Sequence, residues 1–301
     1  MPSSCPACLS DQKTSLIGTE RMYGWGEQFE YFECKDCKSL WIAEIPEDLG
    51  RYYPQDYYAF EEVREDSVFK KFFKRLRYQL FKKGWIQKGP EYFDWIKNLE
   101  LQEEDRIADI GCGAGVALHQ LAYSGFKNLQ GFDPYIRQET RRPGLSISKK
   151  SLEQLEGTFD VVMLHHSFEH LPDPNIALKQ LVRLLNRGGK LLIRLPVTDG
   201  LVWQTEREFW FQLDAPRHLF IPSLRGMEIL GNRHGLQLEK VVFDSTASQF
   251  WGTELYKRNG NFITFDLSRN CSTQDLKSFE KKAKILNDMN KGDQAGFYFK
   301  L

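Results

Sequence analysis

Arg106-Ile-Ala-Asp109-Ile-Gly111-Cys112-Gly113-Ala114-Gly115 decides how the rest of the chain is read. An apolar strand runs into glycines, and the glycines run directly into a helical pattern that begins at Val116. Glycine reaches backbone angles that other residues avoid, and it lets a ligand approach the main chain closely. Dinucleotide folds use G-x-G-x-x-G for the same reason, so a glycine loop alone is weak evidence. Two details separate the readings: the spacing here is G-x-G-x-G, and Asp109 stands two residues ahead of the first glycine. A carboxylate there opposes a pyrophosphate but suits an ammonium group. The next strand ends in Gly131-Phe132-Asp133, which places a second acid where ribose hydroxyls are commonly bound.

Outward from the loop, short apolar runs alternate with helical patterns, the signature of a parallel sheet. Strands are expected at Arg106–Ile110, Asn128–Phe132, Leu145–Ile147, Thr158–Leu164, Lys190–Leu195 and Leu236–Phe243. Helices are expected at Val116–Ser124, Ile176–Leu185 and Ser223–His234, the last two closed by Gly188-Gly189 and Gly235 in left-handed caps. A final helix, Gln274–Asn290, follows Ser272 or Thr273 as N-cap.

Ile107–Ala117 resembles the first motif of the class I S-adenosylmethionine-dependent methyltransferases, and Asp133 resembles their ribose-binding acid. Thr158–Leu164 is similar to the family's fourth strand, and Leu181–Leu195 to the helix and fifth strand that follow. The resemblance covers roughly residues 100–245, with several motifs in the family's order. It implies a Rossmann-like α/β fold with a mostly parallel seven-stranded sheet and helices on both faces. It also implies that S-adenosyl-L-methionine is held by Asp109, Gly111, Cys112, Gly113, Gly115 and Asp133, with Leu152 near the adenine and His165 at the adjoining strand end.

Four of the six cysteines form two C-x-x-C pairs, Cys5/Cys8 and Cys34/Cys37, separated by 25 residues. Each pair presents two thiolates from one tight turn, and two such turns complete a tetrahedral Zn²⁺ site with no open position for water. A structural zinc ribbon is the expectation, with redox-active pairs or buried thiols as the alternatives. The chain then divides into a zinc-ribbon-like module (1–50), a basic amphipathic helical linker (51–100), the S-adenosylmethionine-binding domain (101–260) and a C-terminal helical extension (261–301).

His165-His166-Ser-Phe-Glu169-His170-Leu-Pro follows the fourth strand, at the ligand-bearing edge. Methyl transfer to a hydroxyl or protonated amine requires alignment and removal of a proton, and neutral imidazole accepts one near physiological pH. His165, His166 and His170 are therefore catalytic candidates; the alternative is that His170 only orders its loop. His166, Glu169 and His170 also match positions of the E-x-x-E-H motif that holds a divalent metal in the ubiquinone-pathway O-methyltransferases, but the first glutamate is replaced. After the fifth strand come Trp203, Glu206, Glu208, Phe209, Trp210 and Phe211, then Asp214-Ala-Pro216-Arg217-His218. This insertion is expected to form a water-excluding acceptor pocket, with packing over the sheet edge as the alternative, and His218 is a third candidate base or acceptor ligand. Together with Arg51–Tyr58 and Ser248–Tyr256, it resembles methyltransferases of sugar and surface-polysaccharide biosynthesis, including zinc-containing sugar C-methyltransferases.

Between Val68 and Lys83, Phe69, Phe72, Phe73, Leu76 and Leu80 recur at helical spacing among seven Lys and Arg. The expectation is that this helix docks its apolar stripe on its own domain; a peripheral membrane contact through residues 68–83 is the alternative. Charge is balanced at 41 basic and 41 acidic residues, which disfavours a dedicated nucleic-acid binder. No run of 18 apolar residues and no signal-like start is present, so a cytoplasmic protein is expected. The leading function is methylation of a nucleotide- or lipid-linked sugar. The alternatives are ribosomal RNA base methylation and a non-catalytic zinc-module scaffold. The sequence leaves the oligomeric state open.

Overall fold

The computed structural model describes residues 4–54 and 66–301. The strands are β1 (Lys13–Thr19), β2 (Gln28–Cys34), β3 (Leu40–Ile42), β4 (Arg106–Ile110), β5 (Asn128–Phe132), β6 (Thr140–Arg142), β7 (Leu145–Ser148), β8 (Phe159–His165), β9 (Leu185–Pro196), β10 (Phe220–Ile221), β11 (Gln237–Phe243) and β12 (Gln294–Lys300). The α-helices are α1 (Val68–Lys82), α2 (Glu91–Asn98), α3 (Val116–Ser124), α4 (Pro174–Arg183), α5 (Leu201–Glu206), α6 (Leu224–Arg233), α7 (Ser248–Lys257), α8 (Leu267–Asn270) and α9 (Thr273–Asp288).

Eight strands form one sheet in the order β11-β12-β9-β8-β4-β5-β7-β6. β4 pairs parallel with β5 and β8, and β5 parallel with β7, whereas β6 pairs antiparallel with β7. Ile107, Ala108, Val161, Val162 and Met163 are buried, as expected of parallel strands covered on both faces. β12 lies in the stretch expected to be a helical extension. Its ends bond to Val197 and Gly189 (Val197 N–H to Asp293 C=O, 2.9 Å; Leu301 N–H to Gly189 C=O, 3.0 Å), so it runs antiparallel to β9. Gly188-Gly189 does not cap α4. The helix stops at Arg183, where the Leu184 N–H bonds back to Gln180 and Leu181, and the two glycines lie within β9. Gly235 does cap α6, at φ +78°, and Ser272 is the N-cap of α9 in a capping box with Asp275.

The chain divides into two compact units. One comprises residues 1–53, 168–178 and 194–297. It contains a second sheet, β1-β2-β3-β10, in which the antiparallel hairpin of β1 and β2 is extended by β3 and then by β10. Tyr31, Leu40 and Ile42 from this sheet share one hydrophobic core with Val202, Trp203, Trp210, Leu213 and Ile221. Trp203 and Trp210 are therefore core residues, not lining of an acceptor pocket, because their large apolar faces close the unit that the cysteine-bearing hairpin joins.

The other unit comprises residues 54–167, 179–193 and 298–301. Here α1 packs on α3 through an unexpected face. Tyr78 is buried against Phe93 and Phe126, and Lys71 and Lys74 lie over the Tyr123 ring. The stripe of Phe69, Phe72, Phe73 and Leu76, expected to dock inward, is exposed. No described helix is long and apolar enough to cross a membrane.

Candidate active site and metal centre

β4 delivers Asp109 to the start of the glycine loop, whose chain reverses through Gly111 and Gly113 at φ +69° and +51°. Gly111 and Gly115 are also sterically required: a Cβ would meet Ser167 Cβ at 2.4 Å at the first and Ile147 Cδ1 at 2.2 Å at the second. Asp133, at the end of β5, holds the loop by accepting the Gly113 N–H (3.0 Å) on Oδ2 and the Tyr135 N–H (2.8 Å) on Oδ1. Each of its oxygens keeps a further lone pair. Ser167 Oγ donates to the Ile110 carbonyl at 2.7 Å and braces the loop from the end of β8.

A cavity of about 260 Å³ opens at this loop, lined by Glu91, Trp95, Asp109, Gly111, Cys112, Val116, Ala117, Gln120 and His165. Asp109 is buried, and its Oδ1 has no hydrogen-bond partner among the described residues. Burial first, and then the charge of Asp133, push its carboxyl up to about 8. A buried carboxylate oxygen left without a donor is costly unless a ligand supplies one. The same two causes, with Asp109 added, raise the Cys112 thiol well above its ordinary value. His165 lies against Trp95, ring centroids 4.2 Å apart. Of the expected cofactor residues, Asp109, Gly111, Cys112 and His165 line the cavity. Gly113 bonds Asp133, and Gly115 N-caps α3. Leu152 is buried but does not line the cavity. Glu91, Trp95 and Gln120 were not expected.

The 168–178 and 194–297 segments bring His170 and His218 together, with ring centroids 4.8 Å apart. His170 Nδ1 lies 2.9 Å from the Arg217 carbonyl and 3.0 Å from the Tyr53 hydroxyl. His218 Nδ1 lies 2.7 Å from the Gln212 carbonyl. A carbonyl only accepts, so both rings donate from Nδ1, which leaves Nε2 as the nitrogen that carries the lone pair whenever the ring is neutral. Burial, reinforced by His170, pulls His218 down to about 4, so it is neutral near pH 7. One ligand atom each from Glu169, His170 and His218 lies within 4.8 Å of the others, a grouping that suits acid–base or metal chemistry. His166, the expected third member of this set, is not in that group; it leaves β8 in a left-handed conformation at φ +53°.

Beneath the histidines, the fully buried Arg217 guanidinium donates to both oxygens of Asp214 (2.7 and 3.0 Å) and to Glu20 (2.9 Å). Glu20 in turn accepts the Tyr23 and Trp25 N–H groups, both at 3.0 Å. Burial would raise the Asp214 carboxyl, but Arg217 holds it below its usual range. Despite that burial, its acids hold Arg217 above its ordinary value.

The four cysteines of the hairpin unit converge. Cys5 and Cys37 Sγ are 3.5 Å apart, as are Cys8 and Cys34 Sγ, and all four sulfurs lie within 4.8 Å of one another. A tetrahedral zinc with bonds of about 2.3 Å sets neighbouring sulfurs about 3.8 Å apart. The two turns repeat each other: Leu9 N–H returns to Cys5 C=O at 2.9 Å with φ +64° at Leu9, and Lys38 N–H returns to Cys34 C=O at 3.0 Å with φ +67° at Lys38. Two matched turns that aim four thiols at one point fit a zinc ion. Arg51 to Pro54 of the polysaccharide-type motif are described; Gln55 to Tyr58 lie outside the described residues.

The sequence profile of a family described as a methyltransferase domain matches residues 76–241, more than half of the chain. The chain belongs to that family. It is 27% identical over 117 residues to a ubiquinone biosynthesis O-methyltransferase of Pseudomonas aeruginosa, covering 35% of this chain and 50% of the relative. It is 29% identical over 119 residues to a tRNA U34 carboxymethyltransferase of Campylobacter hominis, covering 36% and 42%. The chain thus spans about half the length of the curated relatives it matches. Among solved structures, the cyclopropane synthase MmaA2 from Mycobacterium tuberculosis aligns with a TM-score of 0.46 at 17% identity, covering 70% of this chain and 83% of that one.

Proposed function

We propose that this chain transfers the methyl group of S-adenosylmethionine to a hydroxyl-bearing small molecule, a nucleotide- or lipid-linked sugar. The observation that carries the cofactor assignment is the unpartnered Oδ1 of buried Asp109, which lines a cavity beside the glycine loop. Asp109 would hold the ammonium of the methionine moiety, and the remaining lone pairs of Asp133 would accept ribose hydroxyls. When bound, S-adenosylmethionine supplies an electrophilic methyl on a sulfonium. His218 and His170, each with Nδ1 held on a carbonyl, would accept the acceptor's proton at Nε2. Tyr53 orients His170 through its hydroxyl. The four-cysteine centre would hold a structural zinc, since four thiolates complete the coordination shell and leave no position for catalysis.

The sugar assignment is supported by the sequence pattern around His218 and by the cysteine hairpin. The likeness to tRNA carboxymethyltransferases favours RNA as a second reading. The test supplies methyl-labelled S-adenosylmethionine with nucleotide sugars, lipid-linked sugars and tRNA, each in turn. Label in a sugar product, with kcat reduced about 10²- to 10⁴-fold in both His218→Asn and His170→Gln, is the expected outcome. Label in tRNA alone, or unchanged turnover in both variants, would refute the sugar and histidine assignments respectively.

A further inference from the structure

We infer that α1 is a membrane-surface helix that seats this chain on an anionic bilayer. The inference is independent of the acceptor proposed above. A surface helix ordinarily turns its apolar stripe to the core. This one does the reverse. At about 100° per residue, Val68, Phe69, Phe72, Phe73 and Leu76 share an arc of about 140°, and all five are between 43% and 80% exposed. The contact face is instead polar and aromatic: Tyr78 is buried on Phe93 and Phe126, Lys71 and Lys74 lie over Tyr123, and Lys82 pairs with Glu103 at 3.1 Å. The helix is thus anchored by the side that carries those groups, and its apolar arc faces away from α3. Trp85, just beyond the C-terminus, is 75% exposed and extends the apolar surface with a side chain that favours the water–lipid boundary.

Charge names the occupant. Residues 68–83 carry seven Lys and Arg and no acid, in a chain whose 41 basic and 41 acidic residues balance only when this stretch is included. Lys70 and Arg77 border the apolar arc on one side, and Arg75 borders it on the other, at the same helical angles. Lysine and arginine can lay their aliphatic stems along an inserted apolar face while their heads reach lipid phosphates. An apolar arc of aromatics between basic flanks is the construction of a helix lying in the plane of an anionic interface. A protein partner would need an acidic groove lined with apolar side chains, whereas an anionic bilayer offers both features by default.

Co-sedimentation with vesicles tests this, using the full chain, phosphatidylglycerol-containing vesicles and pure phosphatidylcholine vesicles. The expected result is retention on the anionic vesicles at low salt, release at about 0.5 M salt and no retention on phosphatidylcholine. The triple variant Phe69→Ser, Phe72→Ser, Phe73→Ser keeps every charge and should bind the anionic vesicles at least about tenfold more weakly. Its affinity for S-adenosylhomocysteine should be unchanged, which shows that it is folded. No retention of the unaltered chain on anionic vesicles would overturn the inference, as would equal retention of the triple variant. A concentration-dependent dimer in ultracentrifugation, abolished by the same substitutions and without vesicle binding, would also overturn it and assign the face to a second copy.

Discussion

Asp109 is buried and Asp214 largely so, yet the two acids are held in opposite states. Asp214 accepts a bidentate guanidinium and stays ionised below its usual range. Asp109 meets no donor at Oδ1, faces a like charge and is pushed up to about 8. Burial alone does not separate a ligand site from a structural one. The inventory of partners does: a charge completed from within the fold is a strut, and one left incomplete beside a cavity awaits a partner from outside.

The largest expected effect breaks the strut. Arg217→Met removes the cation while leaving Asp214 and Glu20 in place, so a fully buried acid and a largely buried one lose their counter-charge. A loss of about 3–5 kcal/mol in urea unfolding is expected. A loss under about 1 kcal/mol would show that solvent reaches these acids and that the contrast with Asp109 is false.

Next comes the waiting acid. Asp109→Asn keeps the shape but removes the charge, and should weaken S-adenosylhomocysteine binding about 10- to 100-fold by calorimetry, the worth of one hydrogen bond to a charged group. Its effect on stability has the opposite sign from Arg217→Met. Because the folded-state value of Asp109 is raised, its contribution is fully present below its ordinary 3.8 and is lost as pH rises through about 8. The melting temperature of Asp109→Asn should therefore equal or exceed that of the unaltered chain at pH 8.5. A variant that binds normally but melts early would make Asp109 structural.

His218 sharpens the comparison as a buried group held neutral. Its folded value is lowered to about 4, so the unfolded chain binds a proton that the folded chain does not between about 4 and its ordinary 6.5. The contribution of His218 should fall as pH drops through that window, read in urea unfolding as a stability difference between the unaltered chain and His218→Asn that shifts by about 1–3 kcal/mol against the unaltered chain from pH 7 to pH 4.5.

How much of this was legible in the sequence follows from how local each signal is. β4, β5 and α3 begin and end where the residues indicated, because a buried parallel strand is an apolar run and a glycine-started helix announces its own boundary. The C-x-x-C turns were legible for the same reason. β12 was not: Gln294–Lys300 follows a well-capped helix, and its pairing between β11 and β9 makes it a strand within the large sheet. Gly188-Gly189 followed a helical run and had the look of a cap, but the strand register claims both glycines. Trp95 and Glu91 line the cavity from a helix before the glycine loop, with no motif of their own. Tyr53 lies 117 residues from His170, and Glu20 lies 197 from Arg217, so neither pairing left a local trace. The inverted α1 went unread because spacing shows that a stripe exists and does not show which way it faces.

The most direct test is the pH dependence of S-adenosylhomocysteine binding, measured by calorimetry at pH 6 and pH 7 in buffers of different ionisation enthalpy. Over that range the ligand's ammonium stays charged, while free Asp109 holds a proton that binding must displace. Affinity should fall about tenfold from pH 7 to pH 6, with about one proton released per ligand bound, and Asp109→Asn should lose both effects. Affinity that is flat across the range, with no proton released, would contradict the account.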